Sequence, residues 1–363
     1  MIRRISVQRS ALYFFSALCF PLSAKTTHMS VKQIVLAARP SGMPDASVFR
    51  TENVELPPLQ AGQVHIRGLY FSVDPYMRGR MNDAPSYIPP FQLNAPIEGA
   101  VVAEVLESQV MGYNPGDLIT GGLLPWATEA IVSAEAIKPI DTQSIPPSYY
   151  LGVLGSAGVT AYCGLVIIGR PKAGETVVVS GAAGAVGLVA GQIAKIMGCR
   201  VVGIAGSEEK IQRLKTEFGF DEAINYKTTP DMAAALAAAC PKGIDIYFDN
   251  VGGTTTDAVF PLLNFQARVP VCGQISSYND TATPPGPRIL PQVVKRSILI
   301  QGFLVRYMKE YHAEAALHLT QWLKENKLKF AETVVEGFDR LPEAWLGLFS
   351  GQNMGKMIVK AYL

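Results

Sequence analysis

The stretch Val177-Val178-Val179-Ser180-Gly181-Ala182-Ala183-Gly184-Ala185-Val186-Gly187 has the residue types and spacing to hold phosphate. A β-branched run leads into a turn with glycines three apart, and then into a small-residue helix opening at Ala185. Gly181 permits the tight turn, Gly184 lets backbone approach a pyrophosphate, and Gly187 lets the helix lie close to the strand. The free N–H groups and positive end of that helix then face the phosphates. The spacing departs from the GxGxxG form, with Ala182 and Ala183 between the first two glycines. A Gly-rich turn in an ordinary α/β domain is the plainer explanation of a bare glycine pattern. This one follows a strand, opens a helix and heads a strand–helix series, so a dinucleotide site is expected.

The choice of dinucleotide turns on the next strand. An NAD site places Asp or Glu at its tip to hold the ribose 2′-hydroxyl. Here residues 200–204 are followed by Ala205-Gly206-Ser207, with no acid. Gly206 and Ser207 leave room for a 2′-phosphate, and Lys210, one helical turn on, can supply charge. Tyr226 can add a hydroxyl donor. Alone, Lys210 reads as a solvated helix lysine, and Glu208 or Glu209 is a rival in reach of the ribose. The missing acid favours NADPH over NADH.

No metal site is expected. The cysteines Cys19, Cys163, Cys199, Cys240 and Cys272 stand alone and far apart, and the histidines are only His28, His65, His312 and His318. Zinc needs thiolate and imidazole ligands at close spacing. His312 and His318 are six apart and do not share a helical face. Isolated thiols also suit a reducing compartment, so a cytoplasmic location is expected.

These residues need elements to position them. From residue 30 to about 150 the pattern is short and β-like, with runs at 31–37, 63–73, 99–107 and 128–132 broken by Pro and Gly. After residue 151 the rhythm changes: strands at 177–180, 200–204, 244–248 and 267–272 alternate with helices at 185–197, 208–218, 231–239 and 254–263. That alternation means a parallel, doubly wound sheet with helices on both faces. A longer helix is expected at 311–325, and a β-like tail at 354–359 returning to the first domain.

The chain has 363 residues, 48% hydrophobic and 17% charged, with a net charge of +2. Two domains with large cores fit that length and composition. No basic stripe points to nucleic acid, and no segment is long and apolar enough for an ordinary membrane span. A small-molecule partner fits best. Residues 1–28 differ, with Arg3, Arg4 and Arg9 before an apolar run at 11–24 and no acid before Asp45. They read as a secretory signal, an organelle transit peptide, or an extension upstream of a start at Met29. The last is favoured because Met29 opens directly into a strand-like segment.

Five ordered motifs recur together: Val73 to Met81 (VDPYMRGRM), the AAGAVG turn, Asp249 to Gly253 (DNVGG), Cys272 to Ser276 (CGQIS), and Gly351 to Lys356. Over nearly all of residues 29–363 the sequence resembles the zinc-independent medium-chain dehydrogenase/reductases, in the group of prostaglandin, alkenal double-bond and curcumin reductases. The resemblance implies an α/β fold, a Rossmann doubly wound sheet plus a GroES-like β-rich domain. The GroES-like catalytic domain would comprise 29–150 and 315–363, and the Rossmann domain 151–314. It implies NADPH, a conjugated carbonyl substrate and a homodimer. It places Gly184, Val186, Lys210 and Tyr226 at the diphosphate or adenosine end of the cofactor. Asn250, Cys272, Ser276, Phe303, Val305 and Asn353 would line its path to the nicotinamide. Tyr278 matches a tyrosine beside the substrate carbonyl, and Tyr76 a second pocket tyrosine. One subgroup carries another tyrosine after the Pro-rich loop, but here residues 289–295 contain none, and the loop 280–287 is expected to shape specificity.

With no ligand set for a metal, another group must stabilise developing negative charge. The expected reaction is hydride delivery to the β-carbon of an enal or enone, with Tyr278 and the nicotinamide ribose hydroxyl holding the enolate oxygen. Tyr278 otherwise reads as a packed loop tyrosine, and Tyr76 as a residue packed beneath the substrate. Arg78 and Arg80 read as structural, and Asp249 as a strand end. A quinone or aldehyde reductase, and a non-catalytic NADPH-binding protein, are the alternatives.

Overall fold

Alternation of buried and solvent-facing side chains along Gln63–Ser72, with Val64, Ile66 and Phe71 inward, is what a sheet with one covered face requires. The computed structural model describes residues 30–142 and 145–362; the expected extension 1–28 and the proposed start at Met29 lie outside the described residues. The first region carries strands β1 (Ser30–Leu36), β2 (Phe49–Glu55) and β3 (Gln63–Ser72), and a single helical turn α1 (Met77–Arg80). Strands β4 (Glu98–Ser108), β5 (Leu118–Pro125), β6 (Glu129–Ser133) and β7 (Lys138–Pro139) follow.

Helix α2 (Ser156–Tyr162) then runs into a π-helical stretch, Cys163–Gly169. After it come β8 (Thr176–Ser180), α3 (Ala185–Ile196), β9 (Arg200–Ala205), α4 (Glu208–Thr216), β10 (Glu222–Asn225) and α5 (Met232–Ala239). The series continues with β11 (Ile244–Phe248), α6 (Gly253–Val259), β12 (Leu263–Val271), α7 (Leu290–Arg296), β13 (Leu299–Gly302) and α8 (His312–Lys324). The chain closes with β14 (Glu332–Glu336), α9 (Leu341–Ser350) and β15 (Lys356–Lys360).

Six strands pair in parallel in the order β10-β9-β8-β11-β12-β13. All five residues of β8 are buried, as a central strand covered on both faces demands. Val177 and Val179 face one core with Leu188, Val189 and Ile193 of α3; Val178 faces the other with Val202, Ile204, Leu236 and Tyr247. The strand order reverses between β8 and β11. The carboxyl ends of those two strands therefore open a crevice, where doubly wound sheets bind ligands.

The second sheet runs β14-β15-β3-β4-β5-β7, with β6 also on β3. It is antiparallel except for β14 and β15, which pair in parallel. The last strand lies against the first region, Val359 opposite Phe71 in β3. The boundary expected between residues 314 and 315 falls inside α8, whose Ala315 and Leu319 are buried in the core that α3 covers.

Candidate active site

At the end of β8 the chain turns through Gly181, whose φ of 58° lies in the left-handed region. Helix α3 starts after Gly184, with no side chain capping its first N–H groups. Those donors are therefore open to a ligand at the helix's positive end, and Ala185, Val186 and Gly187 form its first turn. A Cβ on Gly187 would sit on the Gly181 carbonyl and 2.9 Å from Ala182 Cα, so only glycine allows this closeness of helix and strand. From the other side, the Gly355 N–H donates to the Ala183 carbonyl at 2.7 Å, laying the C-terminal segment along the turn. Asn353 Nδ2 donates to the Gly355 carbonyl at 2.8 Å and fixes that segment's shape.

A second cluster forms where β9 ends. Ser207 caps α4, accepting the Lys210 N–H at 3.4 Å. The Tyr226 ring lies against Gly206, where an added Cβ would meet its Cε1 at 2.9 Å. Burial first, and then Lys227, hold the Lys210 ammonium below its ordinary range. Its Nζ donates to the Gly351 carbonyl at 2.7 Å, a neutral acceptor. Two neighbouring cations beside a tyrosine hydroxyl and a capping serine are the donor set a phosphate monoester needs. The glycine cradle and this cationic end together fit a 2′-phosphorylated dinucleotide.

On the other side of β8, Asp249, 1% exposed, follows β11 as a hub. Its Oδ1 accepts from Ser180 Oγ at 2.9 Å, Tyr247 OH at 2.9 Å, Val251 N at 3.0 Å and Gly252 N at 2.9 Å, and its Oδ2 from Thr256 Oγ1 at 2.7 Å. So many donors make a buried carboxylate tolerable and fix the turn after β11 against the end of β8. Asn250 follows it and donates to the Ser180 carbonyl at 2.7 Å. Cys272 donates its N–H to the Asp249 carbonyl at 2.8 Å, and Ser276 Oγ donates to the Val251 carbonyl at 2.6 Å. After β13, Phe303 meets Phe248 edge-on with centroids 6.4 Å apart, and the Val305 carbonyl lies 2.9 Å from His312 Nε2.

Three tyrosines, from both halves of the chain, come within electrostatic range of one another. Tyr278 follows a short 3-10 turn, and its oxygen accepts the Gln274 N–H at 3.3 Å. That bond leaves the phenol hydrogen free to donate. Burial raises its pKa above the ordinary tyrosine range, so it stays a neutral donor. Tyr76, raised by burial and then by Asp74, comes from the turn before α1. Tyr87, 42% exposed, lies within electrostatic range of Tyr76, Tyr278 and Cys272. The four described cysteines are all held as thiols. Burial first pushes Cys163, Cys199 and Cys240 up to about 11, and burial followed by Asp249 pushes Cys272 up to about 12.

Residues 32–140 match the family described as the N-terminal domain of oxidoreductase, and residues 185–321 the one described as zinc-binding dehydrogenase. YfmJ of Bacillus subtilis (strain 168), named as an NADP-dependent oxidoreductase, is 54% identical over 91% of this chain and 98% of its own length. The NADPH-dependent curcumin reductase of Escherichia coli (strain K12) is 45% identical over 90% of this chain and 95% of its own. The chain belongs to the zinc-independent medium-chain dehydrogenase/reductases. It is an NADP-dependent oxidoreductase, and NADPH is its cofactor. The NADP(+)-dependent 2-alkenal reductase of Nicotiana tabacum is 42% identical over 91% of this chain and 97% of its own. The crystal structure of CurA from Vibrio vulnificus in complex with NADPH superposes with a TM-score of 0.87 at 43% identity, covering 92% of this chain and 99% of that one.

One of the two family descriptions names zinc. Among the described residues, no three His, Cys, Asp or Glu side chains gather in a group that could hold a metal ion. His318 stacks on Tyr162 and Trp322 instead, and His65 Nε2 lies 2.9 Å from Glu129. Also among the described residues, no helix is long and apolar enough to cross a membrane. Sequence reasoning overlooked Tyr87, which sits in a Pro-rich loop with no periodic pattern to single it out. It also read Asp249 only as a strand end, and the Ser180 and Tyr247 hydroxyls that surround it gave no signal in one dimension.

Proposed function

We propose that this reductase acts on the carbon–carbon double bond of α,β-unsaturated aldehydes and ketones. The observation that carries the reading is the Tyr278 phenol, whose oxygen already accepts the Gln274 N–H and whose hydrogen is free. The names of the relatives, a curcumin reductase and a 2-alkenal reductase, support the same substrate class.

In this reading NADPH supplies the hydride that reaches the substrate's β-carbon. The first turn of α3, with Gly181, Gly184, Ala185, Val186 and Gly187, receives the diphosphate. Gly206, Ser207, Lys210 and Tyr226 receive the 2′-phosphate. Asn250, Cys272, Ser276, Phe303, Val305 and Asn353 line the path toward the reacting end. Tyr278 donates to the substrate carbonyl oxygen as negative charge grows there, a contribution worth ~3 kcal/mol of barrier. The neutral phenol can also give up its proton to the α-carbon, directly or through water. Tyr76 and Tyr87 flank the substrate beside Tyr278.

The reading extends to a homodimer. Strand β13 is a sheet edge with all four residues exposed, Leu299 and Ile300 among them, and α7 before it leaves Leu290 and Val294 71% and 81% exposed. Open edges with apolar neighbours invite pairing with a second copy.

The test is an NADPH-oxidation screen over 2-alkenals, enones, quinones and saturated aldehydes, with product mass identifying the bond reduced. Turnover of conjugated carbonyls to their saturated aldehydes or ketones is the expected result. Reduction of quinones or of the carbonyl group itself, with the double bond left intact, would replace the assignment.

A further inference from the structure

Arg78 is 3% exposed and lies two residues from Tyr76, in α1. Its guanidinium reaches the turn just after its own helix and two distant segments. Nε donates to Asn279 Oδ1 at 2.9 Å, Nη1 to Asn82 Oδ1 at 2.7 Å, and Nη2 to the Gly42 carbonyl at 2.9 Å. All three acceptors are neutral. A buried cation with neutral partners is an expensive way to fill space, and an apolar side chain of like volume would be cheaper. What arginine alone offers is a rigid fork of donors that fixes several acceptors at once.

The acceptors are the informative part. Asn279 is the residue after Tyr278 and comes from the nucleotide-binding half, whereas Arg78 belongs to the other half. Asn279 continues the link, its Nδ2 lying 3.0 Å from Met43 Sδ. Asn82 opens the segment that carries Tyr87. One guanidinium thus ties together the stretches bearing all three cleft tyrosines, across the boundary between the two sheets.

We propose that Arg78 is a positioning residue for the reaction: through Asn279 it sets Tyr278 over the substrate, and through Asn82 it registers the Tyr87 segment to it. This rests on the reading of Tyr278 as the carbonyl donor. Displacing such a donor by a fraction of an ångström lowers turnover without touching the cofactor's phosphates.

The test uses the full-length protein with Arg78→Met, Arg78→Lys and Asn279→Ala, each alone and in a Tyr278→Phe background. Asn279 is only partly buried, so its variant keeps the measurement available if Arg78→Met does not fold. Expected for Asn279→Ala and Arg78→Met is a fall of about tenfold or more in kcat on a 2-alkenal, with NADPH affinity within about twofold of the parent. Arg78→Lys should not rescue, because one ammonium cannot span the fork. In the Tyr278→Phe background the same changes should cost less than about twofold. Amide exchange in residues 276–281 should quicken in both single variants. Equal losses in the two backgrounds, or unchanged exchange, would overturn the proposal. If Tyr278→Phe itself retains full turnover, the role of Tyr278 fails, and the exchange measurement alone decides whether Arg78 holds that segment.

Discussion

The Lys356 ammonium lies 3.1 Å from Asp74 Oδ1 and joins the final strand to the turn that presents Tyr76. Its other two N–H groups go to the Val73 carbonyl at 2.8 Å and the Met357 carbonyl at 2.9 Å, so all three donors of this 2%-exposed lysine are used. Ser72 Oγ also donates to Asp74, and Trp345 Nε1 donates to its carbonyl at 3.0 Å. Two of the motifs that recur together in the sequence therefore meet in one ion pair, its lysine buried and its carboxylate partly exposed.

Lys356→Met should leave the partly exposed Asp74 carboxylate with Ser72 as its remaining side-chain donor and lower the unfolding free energy by about 2 kcal/mol. Urea denaturation reads this directly. A loss under about 1 kcal/mol would mean that the pair does not hold the two motifs together.

Tyr278→Phe should cut kcat on a conjugated aldehyde about a hundredfold, the equivalent of ~3 kcal/mol, and leave NADPH affinity alone. The pH profile has a definite sign. Burial raises this phenol's pKa above 10.0, so the neutral, donating form persists to higher pH than in free tyrosine. Turnover limited by Tyr278 should therefore stay level to about pH 9 and decline only in more alkaline solution. A fall centred near neutrality would point to another group.

Lys210→Ala should weaken NADPH binding by about tenfold to a hundredfold and leave NADH binding unchanged, because only the former carries the 2′-phosphate. Burial followed by Lys227 lowers the Lys210 pKa from 10.5, so its charge is lost earlier as pH rises. The preference for NADPH over NADH should accordingly shrink in alkaline buffer. Fluorescence titration of both coenzymes measures each effect.

On the proposed homodimer, Leu299→Lys combined with Val294→Glu should give a monomer in light scattering while far-UV circular dichroism is unchanged. Both side chains are exposed, Leu299 on the edge strand β13 and Val294 on α7 before it, and charge there opposes pairing with a second copy. A protein that stays dimeric would move the interface elsewhere.

The legible parts of the sequence were the local ones. The run into β8, the glycines after it and the small residues of α3 are neighbours in sequence, so their conformations could be read together. The missing acid after β9 was legible for the same reason. The four-residue strand β10 was not read, because Glu222–Asn225 is too short to show a period. The parallel pairing of β14 with β15 brings together segments separated by α9, and nothing in either segment announces it. Arg78 and Asn279 are 201 residues apart, and two hundred residues of intervening chain hide such a contact from any windowed pattern. Arg80 illustrates the same limit. It reads as structural, and its partners are what the sequence leaves unnamed: it bonds Glu98 at 2.8 Å within its own half and lies over the Phe91 ring.

Cys272 lies against the tyrosine that is proposed to face the substrate, and conjugated aldehydes alkylate sulfur anions. With its pKa pushed up to about 12 by burial and then by Asp249, the Cys272 sulfur stays a thiol through the neutral range. Cys163, Cys199 and Cys240 are protected in the same way. At these four cysteines the sulfur is thus kept in its less reactive form toward the proposed electrophilic substrates, a protection that ends where unfolding begins.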